Sequence, residues 1–207
     1  CDPKQGVAVA NQLAGEGVVG VIGPMCSGSA IPTSKVLAEE GIVMISPAAT
    51  NPTLTDEATG NVFRVCGRDD QQGAAVGAYI AKHFAGKIVA IIHDKTAFGH
   101  GQAEEVRKAL HGAGIKETSF DAINRGERDF SALIAKLKAD KVTVLFFGGY
   151  HAEAGLLVRQ IHDQKLAIQL ISGDGLTTSE FWSITGAAGT GTLMAFNPDP
   201  RKNPSAK

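Results

Sequence analysis

Short β-branched runs alternate with amphipathic stretches along almost the whole chain, and few patterns limit a fold more. The runs are Val18–Ile22, Ile42–Ser46, Val62–Val65, Ile88–His93, Glu117–Asp121, Val142–Phe147, Ile168–Ser172 and Thr192–Phe196. Helix-like segments lie between them, near 3–14, 28–40, 70–84, 100–113, 129–139, 151–164 and 177–185. Inside these, apolar residues recur at helical spacing, as in Phe130, Leu133, Ile134 and Leu137. VAIIH and TVLFF are apolar throughout, which suits parallel strands covered by helices on both faces. The pattern predicts an α/β fold of doubly wound parallel sheets.

Strand counting suggests a division. Three runs precede Arg68 and five regular strand–helix units follow it. The polar segment CGRDDQQG between them reads as a crossover, with Asp69 or Asp70 capping the next helix. The reading therefore expects a first lobe over 1–67, a second over 68–197, and a return crossover or tail over 198–207. A 207-residue chain with 43% hydrophobic and 20% charged residues is large enough to bury such cores. A formal net charge of −1 supplies no basic face for nucleic acid. No apolar run approaches the ~20 residues that span a bilayer, so no direct membrane insertion is expected.

In open parallel sheets, ligands sit beyond the carboxyl ends of the strands. The loops there are GPMCSGSA, SPAATNPTLT, HDKTAFGHG, GGYHAEAG and SGDGLTTSE. Their Gly, Ser, Thr and Ala residues allow close backbone approach and offer hydroxyls and amides at helix N-termini, where anions are favoured. GPMCSGSA admits several readings. As a phosphate loop it has Ser29 where lysine is required. As a nucleophile elbow it presents Cys26, with His93 or His151 as partner bases, neither in a recognisable motif. As an anion cradle it presents Ser27 with the turn amides, and as a plain helix start it needs no ligand. The three cysteines leave open buried thiols, a bridge from Cys1 to Cys26, and a lipoprotein-type first cysteine. The six histidines form no HxxxH or HExxH pair and there is no CxxC, so neither metal nor cofactor is expected.

CDPKQGVAVANQL, VVGVIGPMCSGS, GIVMISPAATNPTLT, IVAIIHDKTAFGHG, RDFSALIAKLK, VLFFGGYHAEAG and ISGDG together resemble the periplasmic leucine/isoleucine/valine-binding proteins. These are the substrate-capture subunits of branched-chain amino acid ABC importers, and the resemblance runs through nearly the whole chain. It implies the type I periplasmic binding fold: two Rossmann-like lobes with a small amino acid in the cleft, delivered to a membrane permease. It also implies residue roles. Ser27 and Thr50 would bind the α-carboxylate, with backbone amides around Ala49. The Ala48 carbonyl, the Thr50 hydroxyl and Asp174 would take the α-ammonium. Phe98 and Tyr150 would cover the ligand, and Met25 would line the side-chain pocket. Cys1 and Cys26 match the family's disulfide pair, in keeping with a Gram-negative periplasm, and leave Cys66 free.

The resemblance has departures. The family often carries tyrosine at Phe98 and glutamate at Asp174, which bears on which amino acid fits. Family members also extend beyond both ends of this sequence, so the first lobe is expected to be incomplete, with either its open seam filled by a swapped or strand-paired second chain or the lobe loose and poor at binding ligand. A ligand-sensing receptor domain and a cysteine hydrolase using Cys26 are the competing readings; the loop residues favour binding without catalysis.

Overall fold

The computed structural model describes residues 1–198, 200–202 and 204–205. Each of the eight strand runs forms a strand: β1 Gly20–Ile22, β2 Val43–Ser46, β3 Val62–Arg64, β4 Val89–His93, β5 Ser119–Ala122, β6 Val144–Gly148, β7 Gln169–Ser172 and β8 Leu193–Met194. The principal helices are α1 Pro3–Gly15, α2 Ser27–Glu39, α3 Thr53–Asp56, α4 Asp69–His83, α5 Ala97–Gly112, α6 Ser131–Ala139, α7 His151–Asp163 and α8 Ser179–Thr185. The strands form two wholly parallel sheets, one ordered β1-β2-β3 and the other β5-β4-β6-β7-β8.

The five-stranded sheet is covered on both faces because its central strands are apolar on both. Successive side chains of a strand point to opposite faces. Ala90 and Ile92 of β4 accordingly join Leu145, Phe147, Ile134, Leu157 and Phe181 on one side. Val89 and Ile91 join Phe146, Val76, Ile80, Val106 and Leu110 on the other. All five residues of β4 and of β6 are buried. From β4 the chain first steps outward to β5, then crosses back to β6 on the other side. This reversal opens a crevice beyond the carboxyl ends of β4 and β6.

Among the described residues the three-stranded sheet is covered on one face only. Met44 and Val62 pack with Ala10, Ala30, Leu37 and Leu54 of α1 to α3. On the opposite face Ile22, Ile45 and Phe63 stand side by side in register, with Ile22 79% and Phe63 55% exposed.

Two local expectations are corrected. α5 starts at Ala97, not 100, because Thr96 caps it, its hydroxyl accepting from the Gly99 amide at 2.9 Å. Phe98 therefore lies in a helical first turn, not a loop. α4 is not capped by Asp69 or Asp70: Arg68 occupies the cap position without a side-chain bond, and Asp69 is the first helical residue, fully buried. Its side chain is turned inward, away from the helix end.

Among the described residues no helix is long and apolar enough to cross a membrane. The stretch expected as crossover or tail over 198–207 includes a short 3-10 turn at Pro200–Lys202; Asp199, Asn203, Ala206 and Lys207 lie outside the described residues.

Candidate functional site

The first-sheet side of the site is built on α2 and the loop after β2. Ser27 opens α2, is buried, and accepts a hydrogen bond from the Asn51 amide at 3.2 Å. The first amides of a helix have no intrahelical acceptor, so this end favours an anion. Cys26, just before it, is bonded to Cys1, with Cα atoms 5.4 Å apart, a usual disulfide span. That bond occupies the sulfur the nucleophile reading needs. Cys66 is a free thiol; burial pushes its pKa up, and it faces the Ala49 carbonyl at 3.6 Å.

Arg64, on β3, fixes the loop. Its guanidinium donates to the carbonyls of Ala49 at 2.7 Å and Asn51 at 2.9 Å, and to the Thr55 hydroxyl at 2.9 Å. The Ala49 carbonyl is thereby taken, whereas the Ala48 carbonyl accepts no backbone hydrogen bond among the described residues. Thr50 is buried, and its hydroxyl completes no hydrogen bond.

The second-sheet side comes from the crevice at the reversal. Phe98 is buried in the first turn of α5, and its ring lies 5.0 Å from that of Tyr150, the residue before α7. Close approach is possible because residues 149 and 175 are glycines. A Cβ on Gly149, which sits at φ 155°, would meet the Phe147 ring and the Asp94 carboxylate. One on Gly175 would meet the Phe98 ring. Burial pushes the Tyr150 hydroxyl's pKa up, aided by the charge of Asp94. Asp174 follows β7 in a 3-10 turn, and its pKa is raised by burial.

The two sides meet. The Asn51 side-chain amide donates across to the Ala97 carbonyl at 2.6 Å. The Asp69 amide donates to the Thr50 carbonyl at 3.0 Å. The side-chain amide of Gln102, on α5, donates at 3.4 Å to Asp69, to Gln72 and to Asp174. Ser27, Ala49, Thr50, Phe98, Tyr150 and Asp174 thus belong to one connected cluster. Met25 stands apart, 68% exposed at the edge of the three-stranded sheet. Sequence reasoning missed Arg64, Asp69, Gln72 and Gln102.

A cavity of about 620 Å³ lies elsewhere, at the amino ends of β6 and β7, lined by Phe84, Thr143, Leu166 and Gln169. It has no carboxylate in its wall and lies opposite to where open parallel sheets bind ligands.

Residues 1–207 match the family described as periplasmic binding protein. The chain belongs to that family. It is 55% identical over 203 residues to the Leu/Ile/Val-binding protein homolog 1 of Brucella suis, covering 98% of this chain and 55% of that protein. It is 48% identical over 206 residues to the Leu/Ile/Val-binding protein BraC3 of Rhizobium johnstonii, covering 56% of that protein. Among solved structures, the leucine binding protein LivK of Thermotoga maritima superposes with a TM-score of 0.91 at 25% identity, over 98% of this chain and 59% of that one. The branched-chain amino acid transporter substrate-binding protein LivJ of Streptococcus pneumoniae, in complex with isoleucine, shares the fold at a TM-score of 0.78. The chain spans a little over half the length of these relatives. Its architecture is that of a periplasmic binding protein of type I, with parallel sheets facing one another across the cluster just described.

Proposed function

We propose that this chain binds a small zwitterionic amino acid, branched-chain or otherwise aliphatic, between its two sheets. The observation that carries this reading is the polarity of the cluster. Donors stand at one end, the Ser27 hydroxyl and the first amides of α2, where no side chain caps the helix. Two acids stand at the other, the buried Asp69 and the half-buried Asp174. Residues 50 and 51 tie the ends together, Asn51 to Ser27 and Thr50 to Asp69. A ligand carrying both a carboxylate and an ammonium satisfies both ends once water leaves. The Phe98 and Tyr150 rings offer an apolar wall for an aliphatic side chain.

In this reading Ser27 and Thr50 hold the carboxylate with the amides around Ala49. The Ala48 carbonyl, the Thr50 hydroxyl and Asp174 hold the ammonium. Phe98 and Tyr150 close over the ligand, with Met25 at the rim. Residues 1–67 are the portion of a first lobe, 68–197 the second, and 198–207 a return segment or tail. The names of the Brucella, Rhizobium and Thermotoga relatives support the ligand class. The chain acts without catalysis, in the periplasm of a Gram-negative bacterium, handing its ligand to the membrane permease of an ABC importer. Either a second chain fills the open edge of the three-stranded sheet by swapping or strand pairing, or that side stays loose and binds ligand poorly.

Isothermal titration of the purified protein with leucine, valine, phenylalanine, alanine and glutamate tests the reading. Leucine or valine binds and glutamate does not. Absence of heat with every one of them refutes it.

A further inference from the structure

The polar cluster holds more acid than the assigned roles use. Asp69 is wholly buried, yet one of its carboxylate oxygens completes no hydrogen bond. The same holds for the side-chain carbonyl of Gln102 and, by bond geometry, for the Thr50 hydroxyl, each about 99% buried, although that hydroxyl lies beside Asp69 and pulls its pKa down. A buried polar atom without a partner costs free energy, and such atoms gather where a missing partner is expected. The Asp69 oxygen and the Gln102 carbonyl accept and, with that acid ionised, cannot donate, so the partner they fit is a donor with several N–H groups; the Gln72 side-chain nitrogen beside them is an unpartnered donor. The bonds that Gln102 does make are long, 3.4 Å to each acid, so its amide is only weakly committed. Gly173 is part of the arrangement, since a Cβ there would collide with the Gln102 amide.

We propose that Asp69 is a second acid on the ammonium side of the site, and that Asp69 and Asp174 hold one proton between them until an incoming ammonium displaces it to solvent. This rests on the amino-acid-binding reading and goes beyond it by adding a residue and a proton. The charges balance. Before binding, the pair carries one proton and one negative charge. The ligand arrives already as an ammonium. The O–H bond of the protonated carboxyl breaks, the proton passes to a buffer base, and two carboxylates then face one positive charge.

The surroundings favour a shared proton in the empty site. Asp69 is faced from β3 by Arg64 and, just beyond it, by Cys66; from the end of β7 by Asp174; and from the α7 start by Tyr150. Arg64 is the cation among them; its Nη groups donate to Ala49, Asn51 and Thr55, its buried Nε completes no hydrogen bond, and its charge pulls the Asp69 pKa down without offsetting the burial. Burial first, and then the charge of Asp174, push the Asp69 carboxyl up to about 7, against the pull of the nearby Thr50 hydroxyl. Two carboxyls sharing neutral amides in a dry site ionise one after the other.

The site then selects for the amine and not merely for a carboxylate. Leucine affinity rises with pH up to about 7, by as much as tenfold per unit, because binding releases a proton. 4-Methyl-2-oxopentanoate, which has leucine's skeleton and no amine, gains nothing from rising pH.

The test is titration calorimetry of leucine into the protein near pH 6.5 in buffers of different ionisation enthalpy, repeated with Asp69→Asn. The unsubstituted protein should release a sizeable fraction of a proton per leucine, and Asp69→Asn should release none and lose the pH slope. The proton count on the unsubstituted protein stands whether or not the variant folds. Leucine binding with no proton release overturns this proposal and leaves the binding reading intact. No binding by any amino acid overturns both.

Discussion

Asp174 lies at the carboxyl end of β7 and is half-buried; its carboxylate accepts a long bond from Gln102, its amide donates to the Gln72 side-chain carbonyl at 3.3 Å, and its carbonyl accepts from Thr177. Asp174→Ala should therefore weaken amino-acid binding by about 2–4 kcal/mol, since a buried ammonium loses a hydrogen-bonded carboxylate partner. An unchanged dissociation constant in a variant that still binds would remove Asp174 from the site. Asp69 makes a prediction about stability as well. Its carboxyl titrates at about 7 in the folded chain against an ordinary 3.8. The folded state thus holds a proton that the unfolded state has lost, and stability falls as pH rises from about 3.8 to about 7, then levels. Asp69→Asn removes that cost, so it should raise the melting temperature at pH 8 more than at pH 4. A shift of the same size at both would contradict it. The loops that carry Ser27, Thr50, Tyr150 and Asp174 stand out in the sequence because strand ends in parallel sheets are where ligands go, and the resemblance picks these residues within them. Asp69, Gln72 and Gln102 were not, because their contacts span 30 to 72 residues of chain. A signal for them did exist. Phe98, Gln102, Val106 and Leu110 form the buried stripe of α5, and Asp69, Gln72, Val76 and Ile80 that of α4. A polar residue continuing an apolar stripe marks a buried polar site.

The two helices that carry those stripes depend on glycine to meet. A Cβ on Gly73 would come within 2.5 Å of the Glu105 Cβ and 2.9 Å of the Val106 amide, and one on Gly77 would collide with the Ala109 Cβ. Gly77→Val should destabilise the protein by about 1–3 kcal/mol through overpacking, read from urea unfolding. It should also weaken ligand binding, because Gln72 and Gln102 sit on the elements it forces apart. Unaltered unfolding would mean that α4 and α5 can slide without loss. At the other end of the chain, α1 is held by the bond between Cys1 and Cys26, 25 residues apart. Reduction should cost roughly 3 kcal/mol of stability; a transition that does not move under reductant would show that packing alone holds α1. The element pattern was largely readable because the central strands are apolar on both faces and their helices on one. The short α3 escaped because four residues, Thr53–Asp56, are too few to show a period. The start of α5 was placed late because Gly99 and Gly101 resemble loop, while the Thr96 cap that outweighs them is a single side chain.

The whole molecule joins two sheets of unequal security. β4 and β6 lie inside a five-stranded sheet with helices on both faces and every residue buried. β1 and β3 are the edges of a three-stranded sheet with one bare face, where Val43 is 39% and Ile22 79% exposed. Local opening follows such differences, since exposed backbone bonds over few buried contacts break without unfolding the rest. Hydrogen exchange on the dilute protein should show Val89–His93 and Val144–Gly148 exchanging only through global unfolding, and Gly20–Ile22 and Val62–Arg64 exchanging orders of magnitude faster. The site spans both sheets, so the ligand must draw on this difference. Ordering the three-stranded side consumes part of the binding energy, and the ligand should in return slow exchange there more than in the five-stranded sheet. Saturating leucine should therefore protect residues 48–51 and the first turn of α2 strongly while leaving Val144–Gly148 nearly unchanged. Equal protection of both sheets before ligand is added would show instead that the bare face is already covered, and size-exclusion chromatography of the same sample would tell whether a second copy covers it.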